Sequence, residues 1–450
     1  MRHKAISRGA ICLLLAIAAL GTASCATASN VSTTEQPTAV DVVSSAEQPT
    51  DVEVVAGADA GAEDSSEADA GSETTGEAPE PPPGGAPGGA PGGGEPDHGT
   101  YANLVTEDVA DAESVSTAEA ENAVRVEGDT EVTLTNVVIA KSGDAGDSGD
   151  NSNFYGLNAG LLALDQAVVT LDNATVTTTS DGSNGIFSYG DSVVHVNNAN
   201  IHTTANSAGG IMVAGGGTMY LTDSTIETEG DHSAAFRTDR GGGTLVVDGG
   251  DYLTHGQGSP AVYSAAEISV ADAVLTATGS EAVVIEGKNS VELENCTVEG
   301  DMSGEQSGEN IQNVMTYQSM SGDADVGKSL FSMTGGALTS NNGDMIYVTN
   351  TDCEIYLSDV DIALSNDVLL KVAGNDSARG WGESGANGGQ AVFTAESQSL
   401  EGQIIVDEIS SLDMSLLAGS SFVGSINATD EGSATSVTID ETSTWILTAA

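Results

Sequence analysis

The stretch Val169-Thr-Leu-Asp-Asn-Ala-Thr-Val176 decides how this chain is read. Its first, third and eighth positions are apolar, its second is polar, and Asn173 stands fifth. Alternation over a short run sends successive side chains to opposite faces of a strand, so Val169 and Leu171 share one face. Asn accepts the left-handed backbone of a tight corner. A corner at Asn173 turns the chain so that Val176 faces the same interior as Val169.

The pattern recurs from Val132, Val194, Met219, Leu245, Ile268, Val291, Phe331 and Ile355, with a weaker copy from Val437. From Val169 to Val291 the starts are 25, 25, 26, 23 and 23 residues apart, and Phe331 to Ile355 is 24. A second short apolar run precedes the copies, at 160–164, 185–188, 210–213, 234–237, 261–263, 282–285, 344–348 and 368–371. Each repeat therefore carries about three short strands. A coil of roughly 22–25 residues rising about 4.8 Å is one turn of a three-sided solenoid. The spacing predicts an all-β, single-stranded, right-handed parallel β-helix. A propeller would need a longer period and more than 4% aromatic residues.

Two intervals exceed one coil. Val132 to Val169 is 37 residues and includes the acidic run 142–151; Val291 to Phe331 is 40 and includes 300–328. Each reads as a coil with a long loop, the second alternatively as an irregular extra coil. A third insertion, 374–389, carries Arg379, Trp381 and Glu383. Loops on a solenoid often form its binding surface. Trp381, with Arg379 beside it, reads as a solvent-facing platform for sugar stacking, or else as a flap closing over coil edges. From Gln398 the pattern loosens, and the chain stops in apolar β sequence at Trp445-Ile-Leu-Thr-Ala-Ala450. The end reads either as a thin native cap or as a partial gene product.

The N-terminus carries export signals. Arg2, Lys4 and Arg8 precede an apolar run from Ala10 to Leu20, the plan of a signal peptide and too short for a lasting membrane span. Thr22-Ala-Ser-Cys25 resembles a bacterial lipobox, which makes Cys25 the lipidation site, although Thr22 stands where Leu is usual. Ala26-Thr-Ala28 suits ordinary signal peptidase instead. Residues 25–100 are acidic and Pro/Gly-rich, with a local duplication of Glu-Gln-Pro-Thr, and cannot bury enough surface to offset their ordering entropy. The expected organisation is a signal peptide at 1–24, a disordered stalk at 25–100 and a parallel β-helix at 101–450.

Eleven Lys and Arg stand against 67 Asp and Glu, a formal charge of -56 that becomes -59 once Arg2, Lys4 and Arg8 leave with the signal. Such a field excludes nucleic acid as a partner. The Asp144, Asp147 and Asp150 run offers weak Ca2+ ligands at extracellular concentrations, or simply a solvated acidic surface. No other cofactor is expected. Cys296 and Cys353, at different points of the repeat, read equally as a disulfide or as buried thiols.

The repeat geometry of about 123–450 resembles the pectate-lyase-like superfamily of right-handed β-helices and, in character, bacterial repetitive adhesin-like surface proteins. Such a likeness speaks for fold more than for function. Its polysaccharide-cleaving members imply acids and a basic group on adjacent coils of one face. The polygalacturonase motif set is broken here: Asn350-Thr-Asp352 is present, but no paired Asp follows, Thr254-His-Gly256 lies upstream, and the Arg-Ile-Lys is missing. Lyase chemistry wants an Arg or Lys base, and Arg237 with Asp239 and His232 is the one candidate cluster; pairing of Arg237 to nearby acids is its plainer reading. His195, His202, His232 and His255 lack metal-ligand spacing.

The sequence thus points to a non-catalytic surface protein binding an extracellular glycan or protein through its β-helix face and loops, with the membrane touched only by an N-terminal lipid anchor. A polysaccharide lyase or glycoside hydrolase, and a purely structural spacer, are the alternatives.

Overall fold

The computed structural model describes residues 96–146, 149–303, 310–322, 324–427 and 434–448, without the side chains of 149 and 150. Residues 1–24, read above as a signal peptide, Cys25 and nearly all of 25–100, read as a stalk, lie outside the described residues.

Among the described residues, thirty-seven strands run in three parallel sheets of 14, 13 and 10 strands, here sheets I, II and III. As far as the strand Val368–Val372 the order follows the chain in steps of three, so each coil gives one strand to each sheet, and beyond it the steps are of two. The fold is a right-handed parallel β-helix. The repeat read from the sequence supplies sheets II and III, and the preceding apolar runs supply sheet I. Val132, Val169, Val194, Met219, Leu245, Ile268, Val291, Phe331 and Ile355 occupy one register in sheet II, each facing the interior. Val176, Ile201, Ile226 and Leu275 do the same in sheet III, where β-branched side chains pack well on the pleat.

The corner between sheets II and III has the predicted conformation. Asp111, Asn136, Asn173, Asn198, Asp223, Asp272, Asn295 and Asp359 all have φ between 46° and 56°, and Gly249 and Gly335 take the remaining coils at 72° and 66°. The corner amides form a ladder outside the core. Asn136 Nδ2 donates to Asp111 Oδ1 at 2.9 Å, Asn173 to Asn136 at 3.4 Å and Asn198 to Asn173 at 2.5 Å.

One coil departs from the rule for a packing reason. Tyr252 stands where other coils place Ile, Val or Leu, fully buried, its hydroxyl donating to Gly249 O at 2.8 Å. Its ring meets Phe236 edge-on at 4.5 Å. A Cβ at Gly250 would lie 2.3 Å from that hydroxyl, so the Gly-Gly pair at the corner makes room for the tyrosine.

Val132 pairs directly with Val169 and Val291 with Phe331, so both long intervals are single coils with insertions, and no extra coil is present. The first insertion, 142–160, holds the helix α1 (Gly149–Tyr155). The second flanks the sheet I strand Gln312–Tyr317 on both sides. The third follows the sheet I strand Val368–Val372. All three adjoin sheet I.

Sheet III ends at the strand Asp361–Ala363. Beyond it the chain passes from sheet II directly to sheet I through two to four residues, first at Ser397 and Gln398, which is the physical form of the loosened pattern. Cys296 and Cys353 are free buried thiols rather than a disulfide, and burial pushes both above the usual thiol range.

Candidate functional site

The three outer faces of the β-helix differ. In sheet I, Leu162, Phe187, Met212, Arg237, Tyr263, Val284, Met315, Tyr347 and Lys371 form one outward row in register. Most of these side chains point away from the core, yet they are buried. The insertions roof them over. The first insertion covers the first part of the row: a Cβ at Gly156, directly after α1, would lie 2.8 Å from Leu162 Cδ1 and 2.9 Å from Phe187 Cγ, and Ala159 joins Leu162, Phe187 and Met212 in a second apolar cluster. Loop 374–389 covers the last part, where Trp381 joins Val284, Met315, Tyr317 and Tyr347 in a third.

Trp381 is only 3% exposed, its ring centroid 4.5 Å from that of Tyr317. Of the two readings the sequence left open, the buried ring takes the flap and not the solvent-facing platform, the loop packing Trp381 against Tyr317 and Tyr347 on the outer side of sheet I. Arg379 stacks over Trp381 at 4.7 Å. Asn375 and Asn387 amides donate to Trp381 O at 3.1 and 3.0 Å and fix the loop from within.

Between the two roofs lies a polar network. Arg237 is 7% and Asp239 2% exposed, and Arg237 Nη2 meets Asp239 Oδ2 at 2.8 Å. Arg237 Nη1 also reaches Asn153 Oδ1 on α1 at 3.4 Å, and its guanidinium stands 5.7 Å from the Tyr263 ring. Arg240 lies over Phe154 at 3.8 Å. Glu286 accepts from Tyr263 at 2.5 Å, from Tyr317 at 3.1 Å and from Ser319. Burial and the neighbouring Glu286 carboxylate push both tyrosines well above the phenolic range. His232 sits at the edge of the network. Burial lowers its pKa, Asp231 opposes that, and the charges of Arg237 and Arg379 reinforce it.

Arg237, Asp239, His232, Arg379 and Trp381, nominated in two distant segments, thus converge on one face. Sequence reasoning missed Glu286, Tyr263, Tyr317 and Asn153. With 67 acids in the chain, nothing local marked Glu286, and Tyr263 looked like any residue of a short strand. Asn350-Thr-Asp352 falls at the sheet I–II corner, where Asn350 Nδ2 donates to Gln318 O at 2.7 Å, while His255 follows the sheet III strand Asp251–Thr254. These two pieces do not meet.

Asp144 lines a shallow pocket of about 390 Å3 with Asp181 and Asn153. Asp147 and the side chain of Asp150 lie outside the described residues. Among the described residues no group of three or more His, Cys, Asp or Glu is placed to hold a metal ion. Nor is any helix among them long and apolar enough to cross a membrane.

Sheets II and III keep open outer faces. On sheet II, His195 and Tyr220 stand in register on neighbouring coils and stack with ring centroids 4.9 Å apart and planes 9° from parallel. Tyr220 is 39% exposed. His202 pairs with Glu229 at 2.8 Å and His255 with Glu227 at 3.1 Å across the coils beside sheet III.

Residues 122–314 match the family described as the right handed beta helix region, which accounts for less than half of the chain. No curated protein and no solved structure matches it.

Proposed function

We propose that the chain is a surface-displayed binding protein: an exported β-helix, anchored through a lipid on Cys25 and lifted on its acidic stalk, that holds an extracellular glycan or protein on the outside of sheets II and III. The division of the faces carries this reading. Sheet I spends its outer surface on its own insertions, whereas sheet II presents the His195–Tyr220 stack on a flat face. An aromatic ring fixed by a stacked neighbour offers contact area at little entropic cost, as binding surfaces favour. The stalk supports the reading by its composition, and weak Ca2+ at Asp144, Asp147 and Asp150 would relieve the self-repulsion of so acidic a chain. The lipid-anchored form is tested by metabolic labelling with a fatty acid, which Cys25→Ala should abolish.

A second reading has its own observation. Arg237 and Asp239 share the outer face of sheet I with Glu286 two coils further on, Tyr263 standing between them, an acid-and-base grouping of the kind that polysaccharide-cleaving β-helices usually place on one face. Arg237 is held by Asp239, which favours a structural role for the cluster. The test is to incubate the full exported chain, with Ca2+, against plant, host and bacterial polysaccharides. Retention, new reducing ends and unsaturated-uronate absorbance are read together. Retention without shortening of the polymer supports display and binding; new products lost in Glu286→Gln support the second reading. Neither binding nor products would favour a plain spacer.

A further inference from the structure

We propose that the open edge of sheet III, at the strand Asp361–Ala363, is a docking site for an extended cationic peptide segment that adds to it as a further strand. Sheet III stops there while sheets I and II continue. In a parallel ladder, alternate residues direct their N–H and C=O to opposite neighbours. Asp361 N–H donates back to Gly336 O at 2.9 Å, so Val360 and Ile362 direct their groups to the vacant side.

At Val360 a side chain already answers. Its N–H donates to Gln398 Oε1 at 2.8 Å, and Gln398 Nε2 donates to Val360 O at 2.7 Å. The Gln398 amide therefore stands where a peptide group of the next strand would stand, and shows that the edge accepts one. At Ile362 the same edge opens on a cleft of about 880 Å3, whose other wall comes from the strands Ser399–Val406 and Ser421–Ile426. Ile362 and Leu364 give it an apolar floor, partly buried against the core. Edge strands are ready templates for pairing, and added peptides gain main-chain hydrogen bonds there.

Charge selects the occupant. Asp361, Asp367 and Glu401 line the cleft, and no Lys or Arg is among its lining residues. In a chain of formal charge -56 this favours a Lys- or Arg-bearing strand and opposes an acidic one, the chain's own linker included. The inference does not use the sheet II face, so it stands or falls separately from the binding role proposed above.

The test titrates the full chain with a blocked hexapeptide of alternating lysine and valine, read by calorimetry and by amide hydrogen exchange. Binding should be saturable, weaken with salt, and protect the amide of Ile362. A lysine–proline hexapeptide of equal charge, and a glutamate–valine one, should each bind at least about tenfold more weakly. Ile362→Pro removes the open donor at an edge position where proline is tolerated, and should cost about tenfold, with Ile362→Val unchanged. Should Ile362→Pro misfold by circular dichroism, Asp367→Asn with Glu401→Gln carries the test and must weaken the lysine–valine peptide. Equal binding of the lysine–proline peptide, protection confined to other strands, or indifference to both sets of substitutions would overturn the proposal.

Discussion

Trp381 and Tyr317 meet with ring centroids 4.5 Å apart, although one belongs to the loop after Val368–Val372 and the other to a strand two coils earlier. The flap thus reaches back along sheet I rather than out into solvent. Trp381→Ala should cost about 3 kcal/mol, felt mainly as opening of the flap. Proteolytic nicking and amide exchange within 374–389 should rise sharply while the rest of the β-helix keeps its protection. An unchanged loop would show that Trp381 does not hold it.

The Asn173 corner, at φ 56°, tests the repeat itself. Asn173→Gly keeps the conformation and loses only the ladder contacts. Asn173→Ala adds a left-handed penalty of about 1 kcal/mol, and a β-branched Asn173→Val adds more. Denaturant titration should therefore rank glycine above alanine above valine. Gly249 and Gly335, at the same corner of other coils, lead to the same order. Alanine equal to or above glycine would contradict it.

Those corners were legible because backbone strain restricts the residue type at each coil, and the restriction repeats with the coil. The interior rows were legible for the same reason, since Val169, Val194 and Met219 answer one another at a fixed interval. The site was legible only in part. Arg237 drew attention because basic residues are few, and Trp381 because tryptophans are fewer. Their meeting on sheet I depends on the paths of loops, which no periodicity records. Trp381 was open to two readings because a Gly-rich loop carries no mark of what it packs against. Glu286 was invisible, being one acid among many until Tyr263 and Tyr317 close on it.

Lys141 is 1% exposed, its ammonium donating to Ala118 O at 2.8 Å and to Gly143 O. Burial brings its pKa down to about 8, with Glu121 and Asp144 partly opposing, against 10.5 for the ordinary lysine. A group whose folded pKa is lowered adds stability above its unfolded pKa and loses it as pH falls through the folded one. The Lys141 contribution should therefore climb as pH rises above about 8, against the opposite trend of the buried thiols Cys296 and Cys353, so it is read as the difference between the parent and a Lys141 variant. Lys141→Thr places the residue that follows in the same row, Thr178, and should flatten that climb. Measurements are best kept below about pH 10, where ordinary tyrosines begin to ionise in the unfolded chain. A slope unchanged in the variant would reassign it to another group.

The buried pair Arg237 and Asp239 should behave as a unit. Arg237→Met alone takes the guanidinium from the buried Asp239 carboxylate, which keeps the Arg240 N–H, and should cost about 3 kcal/mol. Arg237→Met with Asp239→Leu should recover a large part of that loss. Additive losses in thermal unfolding would mean the two side chains act independently.

The open face of sheet II against the roofed face of sheet I is tested most directly by retention of the full chain on immobilised glycans and extracellular proteins. Tyr220→Ala and Trp381→Ala should be compared with the parent. Retention lost in Tyr220→Ala and kept in Trp381→Ala is the expected result. Retention that survives Tyr220→Ala but fails with Trp381→Ala, or cleavage of a glycan in the same wells, would move the functional surface under the roof of sheet I.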